Sequence, residues 1–182
     1  MIQIHATQKL FKKFPVDEHG HLKLDPASPI VPDQAVDINP LRNWHANLVT
    51  IQRRNCVLLI HDQTRFVVFV PCLTKKEFGA FQREFEYAFM NTILKCGANE
   101  QQMDTAHSLI EKVEIDTNCN RSVQGTLNQM VQYAKHMFVY DNVDVTQITG
   151  HRLGAHLADT PCTVKGRKDT VWPKSEMLAL LS

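Results

Sequence analysis

The sequence predicts an α+β fold in which a small antiparallel β-meander packs with helices and the C-terminal third is helical. Three runs of β-branched and aromatic residues, over 48–52, 56–61 and 66–70, are separated only by short polar segments, as in consecutive hairpins. After residue 74 the apolar residues recur mainly at spacings of three and four, which is the period of an amphipathic helix.

Composition narrows the class of protein. The chain has 182 residues, enough for one domain, and its 43% apolar and 21% charged residues are typical of a folded globular protein. A net charge of +1 gives no global attraction to nucleic acid or to an anionic membrane. Five widely spaced cysteines predict reduced thiols. Because no signal peptide or membrane-length apolar run is recognisable, we expect a cytoplasmic protein with no membrane association.

The N-terminal elements are short. Residues 2–5 alternate between apolar and polar and predict an edge strand, and Thr7 precedes a brief helical segment, 8–14, that ends at Pro15. The segment 15–40 is rich in proline and predicts a long loop. We expect the loop to lie on the core through its apolar residues Ile30, Val31, Val36 and Ile38.

The meander and the next helix form the predicted core. The runs 57–60 and 67–70 are continuously apolar, which predicts that both faces of the sheet are covered. Thr74 and Glu77 form a capping-box pattern, which predicts the start of a helix that ends near Gly97. Its aromatic stripe predicts core packing and not a cofactor surface. The stripe consists of Phe78, Phe81, Phe85 and Phe89.

The rest of the chain is mostly helical by pattern. Helices are predicted over 100–112, from about 121, over 145–157 and over 173–181, and a short strand over 114–116. Gly150 and Gly154 weaken the third helix, so tight packing must stabilise it. We expect an α+β core, 1–117, and a helical part, 118–182, packed on it as one domain overall. In this arrangement the Phe-stripe helix covers one sheet face and the C-terminal helices cover the other.

Common catalytic and metal-binding motifs are missing from the sequence. No Cys-x-x-Cys pair is present, and His19 and His21 share a loop without a third ligand nearby. Nucleophile-elbow, Walker and dinucleotide-binding fingerprints are also missing. We therefore expect neither a metal nor a cofactor, although a missing motif does not exclude activity.

Polar residues at the ends of the predicted strands form the first candidate site. Guanidinium groups bind phosphate, an indole offers a stacking surface and an imidazole exchanges protons, so the set suits a nucleotide or an RNA phosphodiester. This interpretation requires that all members meet at one rim. Alternatively, the arginine pair decorates an exposed hairpin and the tryptophan fills one end of the sheet. The set comprises Trp44, His45, Asn47, Arg53, Arg54 and Arg65.

The helix that begins near residue 121 offers a second candidate surface. Asn120, Arg121 and Asn128, with Gln124 and Gln132, give amide and guanidinium groups that suit base edges or a peptide backbone. The alternative for Asn120 and for Ser122 is helix capping. The basic run 165–168 is interpreted as a solvated loop, with a nucleic-acid clamp as its alternative.

The chain resembles a family of small uncharacterised bacterial proteins, a domain of unknown function that is sometimes carried on plasmids. The resemblance rests on Trp44-His45-Ala46-Asn47-Leu48 followed by Arg53-Arg54, on Asn120-Arg121-Ser122-Val123, and on the late prolines Pro161 and Pro173. It implies a bacterial, cytoplasmic protein and assigns no biochemistry to it.

The leading functional hypothesis is a non-catalytic binding module, of bacterial or mobile-element origin, for a nucleic acid or a protein partner. The alternative is an enzyme, a metal-independent phosphodiesterase or ribonuclease. In the alternative, His45 is the general acid or base and Arg53 or Arg65 stabilises the phosphate.

Overall fold

The computed structural model describes residues 1–17, 21, 39–164 and 166–182, and the strands of this part form one five-stranded sheet. The strands are β1 (Ile2–Ala6), β2 (Asn43–Ile51), β3 (Arg54–His61), β4 (Val67–Val70) and β5 (Val113–Asp116). Their order across the sheet is β4-β3-β2-β1-β5. His19, the apolar loop residues 30, 31, 36 and 38, and Lys165 lie outside the described residues.

The predicted meander is confirmed, but a purely antiparallel sheet is wrong. Strands β2, β3 and β4 pair antiparallel, with Leu48 opposite Val57 and Leu58 opposite Phe69. Strand β1 instead pairs parallel with both β2 and β5. It therefore lies inside the sheet and is not an edge strand. Parallel pairing needs a long crossover, and residues 7–42 between β1 and β2 provide the length for one.

Seven helices surround the sheet in the described part of the chain. They are α1 (Gln8–Phe11), α2 (Lys75–Gly79), α3 (Phe81–Lys95), α4 (Glu100–Leu109), α5 (Arg121–Tyr140), α6 (Gly150–Ala158) and α7 (Pro173–Leu180). The capping box of Thr74 and Glu77 is confirmed. The predicted Phe-stripe helix is two helices, because the backbone leaves helical geometry at Ala80. The predicted helix over 145–157 begins only at Gly150.

Apolar side chains cover both faces of the sheet, which confirms the prediction from the continuous runs. On one face Leu59 packs with the buried rings of α2 and α3. On the other face Leu58 packs with α5 and α6 through residues such as Leu127 and Leu153. Burying one large apolar side chain stabilises a fold by roughly 2–3 kcal/mol. Helix α7 places Met177 in the first of these cores, so the expectation that the C-terminal helices share one face is wrong.

Helix α6 packs closely against strand β4 and helix α3. A Cβ atom on Gly150 would lie 2.3 Å from the carbonyl oxygen of Phe69, and one on Gly154 would lie 3.1 Å from Thr92. The prediction that tight packing stabilises this helix is thereby confirmed. None of the helices in the described ranges has the length and apolar character needed to cross a bilayer. The division into residues 1–117 and 118–182 stays a prediction.

Candidate functional site

Polar side chains gather on one face of the sheet where β1 and β5 end. In the parallel register His5 pairs with Asp116 on one side and with His45 on the other. Paired residues point to the same face, and the neighbours of His5 in sequence, Ile4 and Ala6, point into the opposite core. We call His5, His45, Asp62, Asp116 and Asn120 the imidazole cluster.

His45 is buried at the centre of the imidazole cluster. Its Nε2 atom accepts the backbone N–H of Asn120 at 2.8 Å, and its Nδ1 lies 2.8 Å from the Oδ1 atom of Asp62. Because Nε2 accepts a hydrogen bond, Nδ1 carries the proton and donates it to the carboxylate. Both nitrogens are therefore used within the protein, and the ring joins β2 to the start of α5.

His5 has one nitrogen fixed and the other available. Its Nδ1 lies 2.6 Å from Oδ1 of Asp116, and no residue in the described part of the chain bonds its Nε2. The side chain is 15% exposed, and its ring centroid lies 4.9 Å from that of His45. Asn118 holds the carboxylate through its backbone N–H at 2.9 Å and its side-chain amide at 2.8 Å.

Arg65 is buried behind the imidazole cluster. Its guanidinium donates to the backbone oxygen of Asp62 and, at 3.3 Å, to the hydroxyl of Ser122. Desolvation lowers the pKa of Arg65, and the nearby Asp62 carboxylate opposes that shift. Within the described ranges, its Nε atom is buried without a hydrogen-bond partner. Its two donating groups are therefore directed into the protein.

Trp44 lies on the opposite face of the sheet from His45 and is fully buried. Its indole N–H donates to the backbone oxygen of Leu41 at 2.7 Å, and its ring meets Phe85 and Phe89 edge-on at 5.2 and 5.6 Å. Asn47, on the His45 side of the strand, interacts through its side-chain oxygen with the hydroxyl of Thr7 at 3.1 Å. The indole offers no exposed stacking surface.

Arg53 and Arg54 lie at the far end of the meander. Both are exposed at the β2–β3 turn, where Arg53 has a φ of 66°. Along an extended strand this turn is roughly 25 Å from His45. The expectation that the indole, the imidazole and the three guanidinium groups share one recess is therefore wrong. Arg54 also lies near the carboxylate of Asp144. Hydrogen bonds from Thr146 are the main cause that lowers the pKa of Asp144, and the charge of Arg54 adds to the shift.

Asn120 is the N-cap of α5, as the capping alternative for this residue predicts. Its side-chain oxygen accepts the backbone N–H of Ser122 at 3.0 Å. Arg121 and Asn128 are exposed, and the Gln124 amide donates to Asn128 at 3.4 Å. Asn120 belongs to the imidazole cluster and Arg121 follows it, whereas Asn128 lies about two turns further along the helix.

A second, partly exposed stripe on α5 lies beside the buried face of that helix. Positions 133, 136, 137 and 140 recur at the spacing of one helix face. Tyr133 is 41% exposed and Tyr140 is 71% exposed, and the ring of His136 stacks on Tyr140 at 3.9 Å. A groove of about 530 Å³ lies between α5 and α6, and we call it the α5–α6 groove. It is lined by Gln132, Tyr133, His136, Met137, His156, Leu157 and Thr160.

Sequence reasoning missed both His5 and this stripe. His5 and Asp116 become neighbours only through the parallel pairing of β1 with β5, which the strand patterns do not encode. The stripe has a readable signal, since Tyr133, Met137 and Tyr140 follow an i, i+4, i+7 spacing beside the buried face. Within the described ranges no three His, Cys, Asp or Glu side chains are placed to hold a metal ion.

Comparison with curated proteins and with solved structures gave no match. A family model matches residues 3–176, which is nearly the whole chain. Its description is a domain of unknown function, and the predicted resemblance to an uncharacterised family is confirmed. The chain belongs to the family described as Domain of unknown function (DUF6933).

Proposed function

We propose that this protein is a binding module that holds a partner protein in the α5–α6 groove. The observation that carries the proposal is the exposed stripe on α5. Tyr133 and Tyr140 leave large aromatic surfaces in water although they adjoin the buried face of the same helix. Tyrosine and methionine are enriched at protein interfaces, and tyrosine often supplies much of the binding energy there.

The shape of the groove supports this role. Its volume of about 530 Å³ falls in the range of sites that enclose a few side chains. Leu157 is buried and Met137 is half-buried, so they form an apolar floor, whereas His136 and His156 are exposed at the sides. A helix or strand with apolar anchors would bury this floor and the tyrosine rings together.

The charges around the groove select the kind of partner. The described residues that line it include two imidazoles and no carboxylate. Arg152, also exposed, lies one helical turn before His156 on α6. Acidic groups are the electrostatic complement of such a rim. The occupant is therefore an amphipathic segment that carries apolar anchors and acidic residues.

The geometry favours a protein over a nucleic acid. A nucleic-acid module needs cations and stacking surfaces together, but Trp44 is buried and Arg65 donates to groups inside the protein. Of the two exposed arginines Arg53 and Arg54, Arg54 lies near Asp144, which offsets part of its charge. The net charge of +1 adds no general attraction for phosphates.

A defined peptide tests the proposal. The probe is a fluorescent helical peptide of about 16 residues with leucines on one face and glutamates on the other, beside a lysine version of equal length. We expect the glutamate peptide to bind more tightly, and Tyr133→Ala and Tyr140→Ala each to weaken binding about tenfold in fluorescence anisotropy. The matched control is Tyr87→Ala on α3, which removes a tyrosine whose exposure lies between those of Tyr133 and Tyr140, and it should leave binding unchanged.

Three results would overturn the proposal. They are failure of the glutamate peptide to bind, equal binding of the two peptides, and an equal loss with Tyr87→Ala. Salt-sensitive binding of single-stranded RNA or DNA that Arg53→Ala or Arg54→Ala removes, and Tyr133→Ala does not, would replace the protein partner by a nucleic acid.

A further inference from the structure

We infer that His5 is the general base of a site that hydrolyses uncharged esters. The site lies near the N-terminus of α5, whereas the α5–α6 groove lies toward the C-terminus of that helix. This site is independent of the proposed protein-binding role. It follows from the contrast between His5 and the other two histidines of the sheet, and from the groups that fix its ring.

Among the sheet histidines, His5 alone keeps a nitrogen available among the described residues. His61 uses Nδ1 with the Thr64 hydroxyl at 2.9 Å and Nε2 with the backbone oxygen of Pro40 at 3.0 Å. His45 uses both nitrogens as well. An imidazole with a carboxylate on Nδ1 and a free Nε2 is the arrangement in which enzymes hold a general base.

The ring of His5 is held from two sides. Asp116 accepts the Nδ1 proton, so Nε2 carries the lone pair. Asn118 fixes both oxygens of that carboxylate, and the ring of His45 contacts that of His5 at 4.9 Å. His45 is itself immobilised by its two hydrogen bonds. A base held in this way needs little reorganisation when it reacts.

The reaction uses water as the nucleophile. Nε2 of His5 takes a proton from water while the water oxygen bonds to the ester carbonyl carbon. The tetrahedral intermediate then breaks its bond to the alcohol oxygen, and the imidazolium returns the same proton to that oxygen. An acid and an alcohol leave, and His5 is neutral again. Asp116 stays ionised and acts as a positioning residue, because it holds the ring and its tautomer.

The surrounding charges indicate an uncharged substrate. The carboxylates of Asp116 and Asp62 bond the imidazoles of His5 and His45, and Glu114, two residues before Asp116 on β5, pairs with His21 at 3.2 Å. Among the described residues, the arginines placed beside these carboxylates are Arg65, which lies near Asp62, and the exposed Arg121, which follows Asn120. A polyanion such as RNA would meet this excess of carboxylates, whereas an ester carbonyl carries no net charge. An ester therefore fits better than a phosphodiester.

The test measures hydrolysis of p-nitrophenyl acetate by the full chain. Steady-state rates are taken after any burst, since acylation of the exposed Cys119 thiol is stoichiometric. We expect His5→Gln and Asp116→Asn each to lower the rate about tenfold. The matched control is His107→Gln, whose side chain is 74% exposed on α4 and which should keep the wild-type rate.

The tautomer gives a readout that a merely structural role would not move. In ¹⁵N spectra of the wild-type imidazoles, His5 should carry its proton on Nδ1, and Asp116→Asn should shift it toward Nε2 because an amide can donate to Nδ1. The inference is overturned if wild-type His5 is protonated on Nε2, if His5→Gln keeps the full rate, or if His107→Gln loses as much.

Discussion

The backbone N–H of Asn120 donates a 2.8 Å hydrogen bond to Nε2 of His45. His45 lies in the middle of the sheet, and Asn120 is the N-cap of α5, a helix of twenty residues. The same imidazole bonds the carboxylate of Asp62 just after β3. One side chain therefore joins two strands to the first turn of the helix that carries the α5–α6 groove.

Replacing His45 tests this joint. His45→Phe keeps a ring in the site but leaves a backbone N–H and a carboxylate without their partner. We expect the free energy of unfolding to fall by about 2–3 kcal/mol, since unsatisfied buried polar groups are costly. Urea unfolding followed by circular dichroism measures the change. His107→Phe, the same substitution on an exposed surface, should hardly change the free energy of unfolding. Equal losses in the two variants would show that the hydrogen bonds of His45 do not stabilise the fold.

Local patterns predicted most of the fold because hairpins, capping boxes and helical stripes involve residues close in sequence. The β2–β3–β4 meander and the Phe-lined helices are examples. The position of β1 is different, since a strand pattern gives no direction and its partners β2 and β5 are distant in sequence. The pairing of His5 with Asp116 depends on that position and was therefore not predictable.

The candidate site was predicted less well, and β2 shows why. Trp44 and His45 are adjacent, so their side chains must point to opposite faces of a strand. The pattern does not say which face is core, and the first candidate site placed both residues at one rim. The predicted hairpin itself puts Arg53 and Arg54 at the other end of the strand from His45. The length of β2, Asn43–Ile51, therefore keeps the two arginines away from His45, as the structure shows.

Two of the helical glycines, Gly150 and Gly125, should respond oppositely to alanine. At Gly150 a Cβ atom would overlap the carbonyl oxygen of Phe69 at 2.3 Å, so α6 must shift away from β4. We expect Gly150→Ala to lose about 1–3 kcal/mol of unfolding free energy. At Gly125, within α5, nothing lies within 4 Å of an added Cβ atom. Gly125→Ala should therefore raise the free energy of unfolding by about 0.5–1 kcal/mol. Thermal unfolding compares them, and equal effects would contradict the close contact.

His61 should make the fold sensitive to mild acid. Burial lowers the pKa of His61 to about 4 from its ordinary value of 6.5, so the folded state holds it neutral. Between these values the unfolded chain binds more protons, and stability therefore falls as the pH drops. The stabilisation is complete above about pH 6.5 and is lost toward pH 4, a change of about 3 kcal/mol.

The comparison for His61 is His61→Gln, because glutamine can donate to Pro40 and accept from Thr64 without titrating. Urea unfolding is measured for both proteins from about pH 4 to 7.5. The wild type should lose more stability than the variant over this range. Parallel curves for the two proteins would show that another group carries the acid sensitivity.

One of the five cysteine thiols should react quickly with a disulfide reagent, and the other four should react slowly. Burial raises the pKa of Cys56 and Cys96 to about 11 and also raises the pKa values of Cys72 and Cys162, whereas Cys119 is exposed. The thiolate is the reactive form, so near pH 8 an aromatic disulfide reagent should release about one fast equivalent. Cys119→Ser should abolish that phase, whereas Cys96→Ser should leave it unchanged. A fast phase that persists in Cys119→Ser and is lost when Cys72→Ser is added would come from the half-buried Cys72, and one that persists in both would mean that a buried thiol becomes accessible by local opening of the fold.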